Sequence, residues 1–184
     1  SHMKKYAIII LISFVFTLGL ATYKLYLAVS HPIKYENIIS SYAREYDLSS
    51  VLVASVINVE SSYDSSAKSN KNALGLMQIK LTTAEYMNDW YNIDTTLEET
   101  DLYSAEINIK YGCLYLRYLL DKFEDTYTAL SAYNAGETRV RTWLYDENIS
   151  TDGKTLSYIP YKETREYIKK IKNNMKFYQK IYKN

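Results

Sequence analysis

The sequence predicts an all-α protein, one globular helical domain preceded by an N-terminal hydrophobic membrane helix. Three observations predict it. Apolar residues recur at intervals of three and four through most of the chain after residue 35, no stretch shows a convincing strand alternation, and no internal repeat occurs. With 184 residues and 47% hydrophobic composition, the chain can bury one core and is short for two.

The first element is a membrane-targeting segment. Met3-Lys4-Lys5 precedes a run from Tyr6 to Ala21, and no charge follows until Lys24. This run falls between a signal-peptide core and a full span, and Tyr23, Tyr26 and Leu27 extend it as an interfacial belt. Gly19-Leu20-Ala21 and Ala28-Val29-Ser30 each offer a small-x-small cleavage pattern, so a removed signal peptide stands as the alternative to a retained anchor, the favoured reading. Lys4 and Lys5 favour an inside N-terminus. The rest of the chain is then expected outside the cytoplasm, anchored by a single pass, or secreted if the segment is removed. Residues 1–2 read as a tag remnant, 3–29 as the anchor or signal segment, 30–34 as a linker and 35–184 as the soluble domain.

Tyr35 to Tyr46 carries Ile38, Ile39, Tyr42, Ala43 and Tyr46 on one face, a helix closed by Asp47. Val51 to Glu60 follows as a core helix with Ser50 as its N-cap. Ser61 to Ala73 is polar and aperiodic, a surface loop. Thr82-Thr83-Ala84-Glu85 is a capping box for a helix through Tyr91, and Asn92 to Thr100 reads as loop. Ala105, Ile109, Gly112, Leu116, Leu119 and Phe123 mark the central helix. Thr126 caps a short helix reaching Asn134, Gly136 turns the chain, and Val140, Trp143 and Leu144 mark another. After the loop from Tyr145 to Ser157, Pro160 leads into a final helix lined by Tyr167, Ile168, Ile171, Met175, Tyr178 and Ile181. Its lysines, Lys169 to Lys183, read as a solvated basic face, with docking on anionic polymer or lipid as the alternative.

Composition excludes several chemistries. A net charge of +1 gives no field to draw in nucleic acid. No Cys/His spacing suits a metal, and no cofactor is expected. His2 belongs to the tag remnant and His31 to the linker. Cys113 is alone, so it forms no internal disulfide and reads as a buried inert thiol. The chemistry instead points to Glu60, an acid at the end of a core helix, where partial burial raises a carboxyl pKa and lets it deliver a proton near neutral pH. A helix-end Glu bonded to nearby backbone is the structural alternative.

Further motifs shift that balance. Glu60-Ser61, Gly75-Leu76-Met77-Gln78, Ala132-Tyr133-Asn134-Ala135-Gly136 and Glu163-Thr164-Arg165-Glu166-Tyr167 occur in one order with plausible spacings. Together, over roughly residues 35 to 182, they resemble the lytic transglycosylases of the soluble-lytic-transglycosylase type, which share a lysozyme-like (goose-type) fold. The resemblance implies cleavage of the β-1,4 bond between N-acetylmuramic acid and N-acetylglucosamine of peptidoglycan, with 1,6-anhydromuramoyl products and a single catalytic Glu60. It further implies that Ser69, Met77, Gln78, Tyr133, Asn134, Glu163 and Tyr167 bind substrate. The Tyr133 hydroxyl is expected to orient the Glu60 carboxylate across the cleft, Ser61 to hold the helix end, and Glu163 either to bind sugar or to pair with Arg165 or a helix N-terminus. The partners expected are glycan strands and, through the N-terminal segment, the membrane, with the protein a monomer. Ser65 stands where the family often has proline, and Asn72 where glycine is common; Asn tolerates a left-handed turn. Two other functions remain open at this point: a hydrolysing muramidase, for which Asp64 is the nearest second acid, and a noncatalytic glycan-binding module.

Overall fold

A computed structural model describes residues 2–30 and 33–181. Ser1, His31 and Pro32 of the expected tag and linker, and Tyr182 to Asn184 with the last lysine of the basic stretch, lie outside them. The described chain is helical: α1 (His2–Ser30), α2 (Glu36–Glu45), α3 (Ser50–Ser61), α4 (Leu81–Tyr91), α5 (Ala105–Lys122), α6 (Thr126–Ala135), α7 (Glu137–Leu144) and α8 (Lys162–Ile181). Extended pairing among the described residues is confined to two isolated bridges, Lys68 with Leu74 and Leu74 with Ile79.

Helix α3 sits inside the domain. Leu52 through Ile57 are all buried, so the helix has no polar face over its middle turns and must be enclosed by its neighbours. It packs against α2 and α8, while α5 packs against α2, α4 and α6. The core includes Ile39 and Ala43 of α2, Ile109, Leu116 and Leu119 of α5, and Ile168 and Ile171 of α8, the positions their helical spacing marks.

Four helix starts differ from expectation. Ser49, rather than Ser50, caps α3, accepting a hydrogen bond from the Leu52 amide at 3.4 Å. Asp125, rather than Thr126, caps α6 through the Thr128 amide at 2.7 Å. Helix α4 begins at Leu81, one residue before the expected box, with Lys80 at the cap and no side-chain cap bond. The expected loop after Asn92 gives way to a 3₁₀ turn, Glu99–Tyr103, entered through a 2.8 Å bond from the Glu98 amide to Asp101. Where two capping residues stand side by side, composition alone does not say which one has left helical geometry.

The loop between α3 and α4 is held by one buried amide. Asn108 of α5 donates Nδ2 to the carbonyls of Leu74 (2.8 Å) and Leu102 (2.7 Å), and its Oδ1 accepts the Met77 amide at 2.7 Å. The backbone at Gly75 approaches so closely, at φ 69°, that a Cβ there would collide with Asn108 and the Leu102 carbonyl. Gly112 likewise leaves room for Met77. This clamp fixes Gly75 to Ile79 against the central helix.

The described side chains of α1 are exposed, and Lys4–Tyr23 is long and apolar enough to cross a membrane, with a mean hydropathy of 2.1.

Candidate active site

Glu60 is the penultimate residue of α3, where the enclosed turns end and the chain turns at Ser62 in a left-handed conformation. The Ser61 hydroxyl lies 2.8 Å from the Leu76 carbonyl and 3.2 Å from that of Ile57, so it ties the helix end to the Gly75–Ile79 segment, as expected. Glu60 thereby faces a cavity of about 530 Å³. Ser69, Gln78, Tyr133, Asn134 and Glu163 line the same cavity. Segments from opposite ends of the domain converge here because α3 packs on α8 and α6 packs on both α5 and α8.

The hydrogen bonds leave particular atoms free for a ligand. Ser69 Oγ accepts from the amides of Ala73 (3.0 Å) and Lys71 (3.3 Å), so its proton remains to be donated. Gln78 donates Nε2 to the carbonyls of Gly75 (3.0 Å) and Ala67 (3.3 Å), leaving its Oε1 as an acceptor. Asn134 Oδ1 accepts from the Thr164 hydroxyl at 2.8 Å, leaving Nδ2 as a donor. The cleft thus offers both kinds of partner that sugar hydroxyls and N-acetyl groups require.

Burial pushes the Glu60 carboxyl up to about 7; the Tyr167 hydroxyl works against that rise, and the Glu163 charge adds to it. The orienting tyrosine differs from expectation. Tyr133 donates its hydroxyl to the Met77 carbonyl at 2.8 Å, bracing the clamped loop. Tyr167, only 6% exposed, sets its hydroxyl against Glu60 from within the core without a hydrogen bond of full geometry. Burial first, and the Glu60 charge second, raise both phenols far above their ordinary range, so both stay protonated.

Two expected substrate contacts are not at the cavity wall. Met77 is fully buried, filling the space over Gly112, and its polar role runs through its backbone. Tyr167 lies behind Glu60 rather than beside it in the cleft. Glu163 does not pair with Arg165, whose guanidinium bonds the carbonyls of Ile159 (2.6 Å) and Pro160 (2.8 Å). Asp64 is on the surface, accepting from the Ser66 amide (2.9 Å) and hydroxyl (2.6 Å), bonds that lower its pKa, and it does not line the cleft. Glu163 is the second carboxylate there. Sequence reasoning missed Thr83, Tyr115 and the cations Lys71, Lys80 and Arg139, which also line it. Lys80 and Arg139 stand two or three residues beyond motif positions, a proximity that was the available signal. Tyr115 had none, being one of many tyrosines at helical spacing.

Comparisons with known proteins agree with this fold. The family model "Transglycosylase SLT domain" matches residues 37–155. A soluble lytic murein transglycosylase of Salmonella typhimurium is 34% identical over 142 residues, covering 76% of this chain. The chain spans 22% of that relative's length. The 70 kDa soluble lytic transglycosylase of Escherichia coli superposes with a TM-score of 0.74 at 28% identity, over 85% of this chain and 26% of that one. An inactive Glu-to-Gln variant of the Pseudomonas aeruginosa lytic transglycosylase Slt gives 0.73 at 27% identity, with the same coverage, 85% and 26%. On the match to its family model, which covers more than half of its length, the chain belongs to the transglycosylase SLT domain family.

Proposed function

We propose that the domain is a peptidoglycan lytic transglycosylase and that Glu60 is its catalytic acid and base. The observation that carries this reading is a carboxyl with a pKa of about 7 on the wall of a cleft that offers free donors and acceptors. Protonated Glu60 donates to the glycosidic oxygen as the C1–O bond breaks, and N-acetylglucosamine departs. The resulting carboxylate takes the proton of the muramoyl C6 hydroxyl, whose oxygen bonds to C1. Glu60 ends protonated, the product carries a 1,6-anhydro ring, and no water is consumed. Ser69, Gln78, Asn134 and Glu163 hold the sugars, Tyr133 and Met77 shape the wall behind them, and Tyr167 holds Glu60 in place.

Mass spectrometry of the products released from purified sacculi tests the assignment. Anhydromuramoyl products from the wild type that vanish with Glu60→Gln support it. Reducing-end products would instead indicate a hydrolase, with Glu163 as its second carboxylate, and retained glycan binding without turnover would indicate a recognition module.

The same reading places α1 in the membrane as a single-pass anchor with the cleft outside the cytoplasm, residues 30–34 as the linker and residues 35–184 as a monomeric catalytic domain. Its support is the exposed apolar span Lys4–Tyr23 behind two lysines. Carbonate-resistant membrane fractionation and proteolysis of intact cells test the anchor and its orientation, and sedimentation velocity tests the monomer.

A further inference from the structure

The outward face of α8 is basic. After Glu166 the helix carries no acid, and Lys169, Lys172, Lys176 and Lys180 recur at three, four and four residues, which places them on one face over about 16 Å. All four are exposed, opposite the Tyr167, Ile168, Ile171 and Tyr178 side chains that enter the core. None forms an ion pair among the described residues. The helices packed on α8 from the domain side bring no counter-charge to this face. Helix α6 has no charged side chain, and the one charge of α3 is Glu60, which lines the cleft. Lys172 Nζ lies 3.8 Å from the centroid of Tyr127, a 38% exposed ring on α6, so an aromatic of the kind that sits at membrane interfaces flanks the lysines.

Charge of one sign on a rigid helix face suits an extended anionic surface, and α8 is packed against by α1, whose apolar span Lys4–Tyr23 is long enough to enter a membrane. Lysines are point charges on flexible apolar stems, matched to a layer of headgroup phosphates rather than to a shaped pocket. Beside an anionic membrane each lysine favours binding about fivefold, so four together give a gain on the order of 10³. That is too weak to hold a free domain on dilute vesicles and strong enough for a domain tethered next to the surface by a short linker.

We propose that the face of α8 formed by Lys169, Lys172, Lys176 and Lys180 is a docking surface for anionic lipid headgroups, holding the domain against the membrane that α1 enters. This rests on the reading of α1 as a membrane anchor and is independent of the catalytic assignment. Glu163, in the first turn of α8, lines the cleft, so docking of this helix sets how the cleft faces the wall.

The test uses the full chain reconstituted in vesicles of phosphatidylcholine alone, or of equal parts phosphatidylcholine and phosphatidylglycerol. A membrane-impermeant acetylating reagent is applied, and the modification of each lysine is read by mass spectrometry. On the anionic vesicles Lys169, Lys172, Lys176 and Lys180 should react about fivefold more slowly than on the neutral ones, while Lys71 of the cleft reacts equally on both. The two tryptophans of the chain, Trp90 and Trp143, both lie in the domain, so energy transfer from them to a dansyl headgroup reports its approach to the lipid. Transfer should rise on the anionic vesicles and return to the neutral-vesicle value with Lys169→Gln, Lys172→Gln, Lys176→Gln and Lys180→Gln combined. That variant should melt as the wild type does, since all four sites are in solvent. Equal reactivity on the two vesicles, or transfer undiminished in the fourfold variant, would overturn the proposal. Protection of the same lysines by soluble poly(glycerol phosphate), and not by anionic vesicles, would overturn it in favour of a wall polymer. Retention on the neutral vesicles through a carbonate wash is recorded in parallel. Retention without protection would sink the docking face alone, and protection without retention would sink the anchor alone.

Discussion

The proposed acid, Glu60, sits among groups that oppose one another. Burial raises its pKa to about 7, Glu163 adds repulsion, and the Tyr167 hydroxyl partly offsets both. In the proposed reaction the acid is protonated at the start, so kcat/KM should fall as pH rises through about 7. Removing the opposing groups should move that limb in opposite directions: up with Tyr167→Phe, which deletes the group that lowers the pKa, and down with Glu163→Gln, which deletes a repelling charge. A pH profile in which both variants moved the limb the same way would refute this balance. Glu60→Gln should lower kcat by about 10³-fold or more. The same substitution should stabilise the fold. A carboxyl raised from 4.5 in the unfolded chain to about 7 in the folded one contributes nothing below pH 4.5 and its full penalty above 7. At pH 8, Glu60→Gln should therefore gain about 2 kcal/mol after allowance for its residual solvent exposure, raising Tm by about 4–8 °C. Thermal melts at pH 4 and pH 8 should show that gain shrinking at the acid end. The sequence singled out Glu60 because an acid closes a largely apolar run broken by Ser55 and Asn58. It did not reveal which tyrosine serves it, because Tyr133 and Tyr167 stand in equivalent motifs and only packing spends the Tyr133 hydroxyl on Met77.

At the scale of elements, the cleft depends on α5 gripping the loop that carries Gln78. Asn108 satisfies two carbonyls and one amide from a fully buried position. Asn108→Ala should leave the Met77 amide and the Leu102 carbonyl without Asn108, while the Leu74 carbonyl keeps its bond from the Ile79 amide, and cost about 3 kcal/mol, with a matching fall in Tm. It should also weaken glycan binding, since Gln78 reaches the cleft through the segment that Asn108 anchors. Gly75→Ala should be at least as severe, because the added Cβ meets both Asn108 and the Leu102 carbonyl at a left-handed φ. Urea titration of both variants checks the order. Helix existence was legible throughout from spacing, whereas the helix starts slipped by a residue wherever Ser49 adjoined Ser50 or Asp125 adjoined Thr126. Asn108 itself gave no sign. Within a helical stretch an asparagine reads as a surface residue, and its burial follows from the carbonyls that a distant loop brings to it.

For the whole molecule, the decisive question is whether the apolar helix and the helical domain after it are energetically independent. Among the described residues the core includes none of α1; its earliest members are Ile33 and Tyr35 at the margin and Ile39 within. The described α1 side chains from Tyr6 to Tyr26 are exposed, and several isoleucines and phenylalanines there remain more than 60% exposed. Such a surface is costly in water and inexpensive in hydrocarbon, so α1 is compatible with a bilayer setting. Helix α8 is the complementary case: it buries Tyr167, Ile168, Ile171 and Tyr178 and keeps Lys169, Lys170, Lys172, Lys176 and Lys180 in solvent. Removing residues 1–32 should leave the unfolding free energy of the domain within about 0.5 kcal/mol of that of the detergent-solubilised full chain. It should also leave turnover of soluble glycan strands unchanged while abolishing co-sedimentation with membranes. Denaturant melts and vesicle sedimentation at about 0.15 M salt, where weak attraction by the lysine face is screened, measure the two halves of this separately. A large loss of stability would show that α1 supports the fold, and persistent membrane binding would assign the attachment to the basic face of α8.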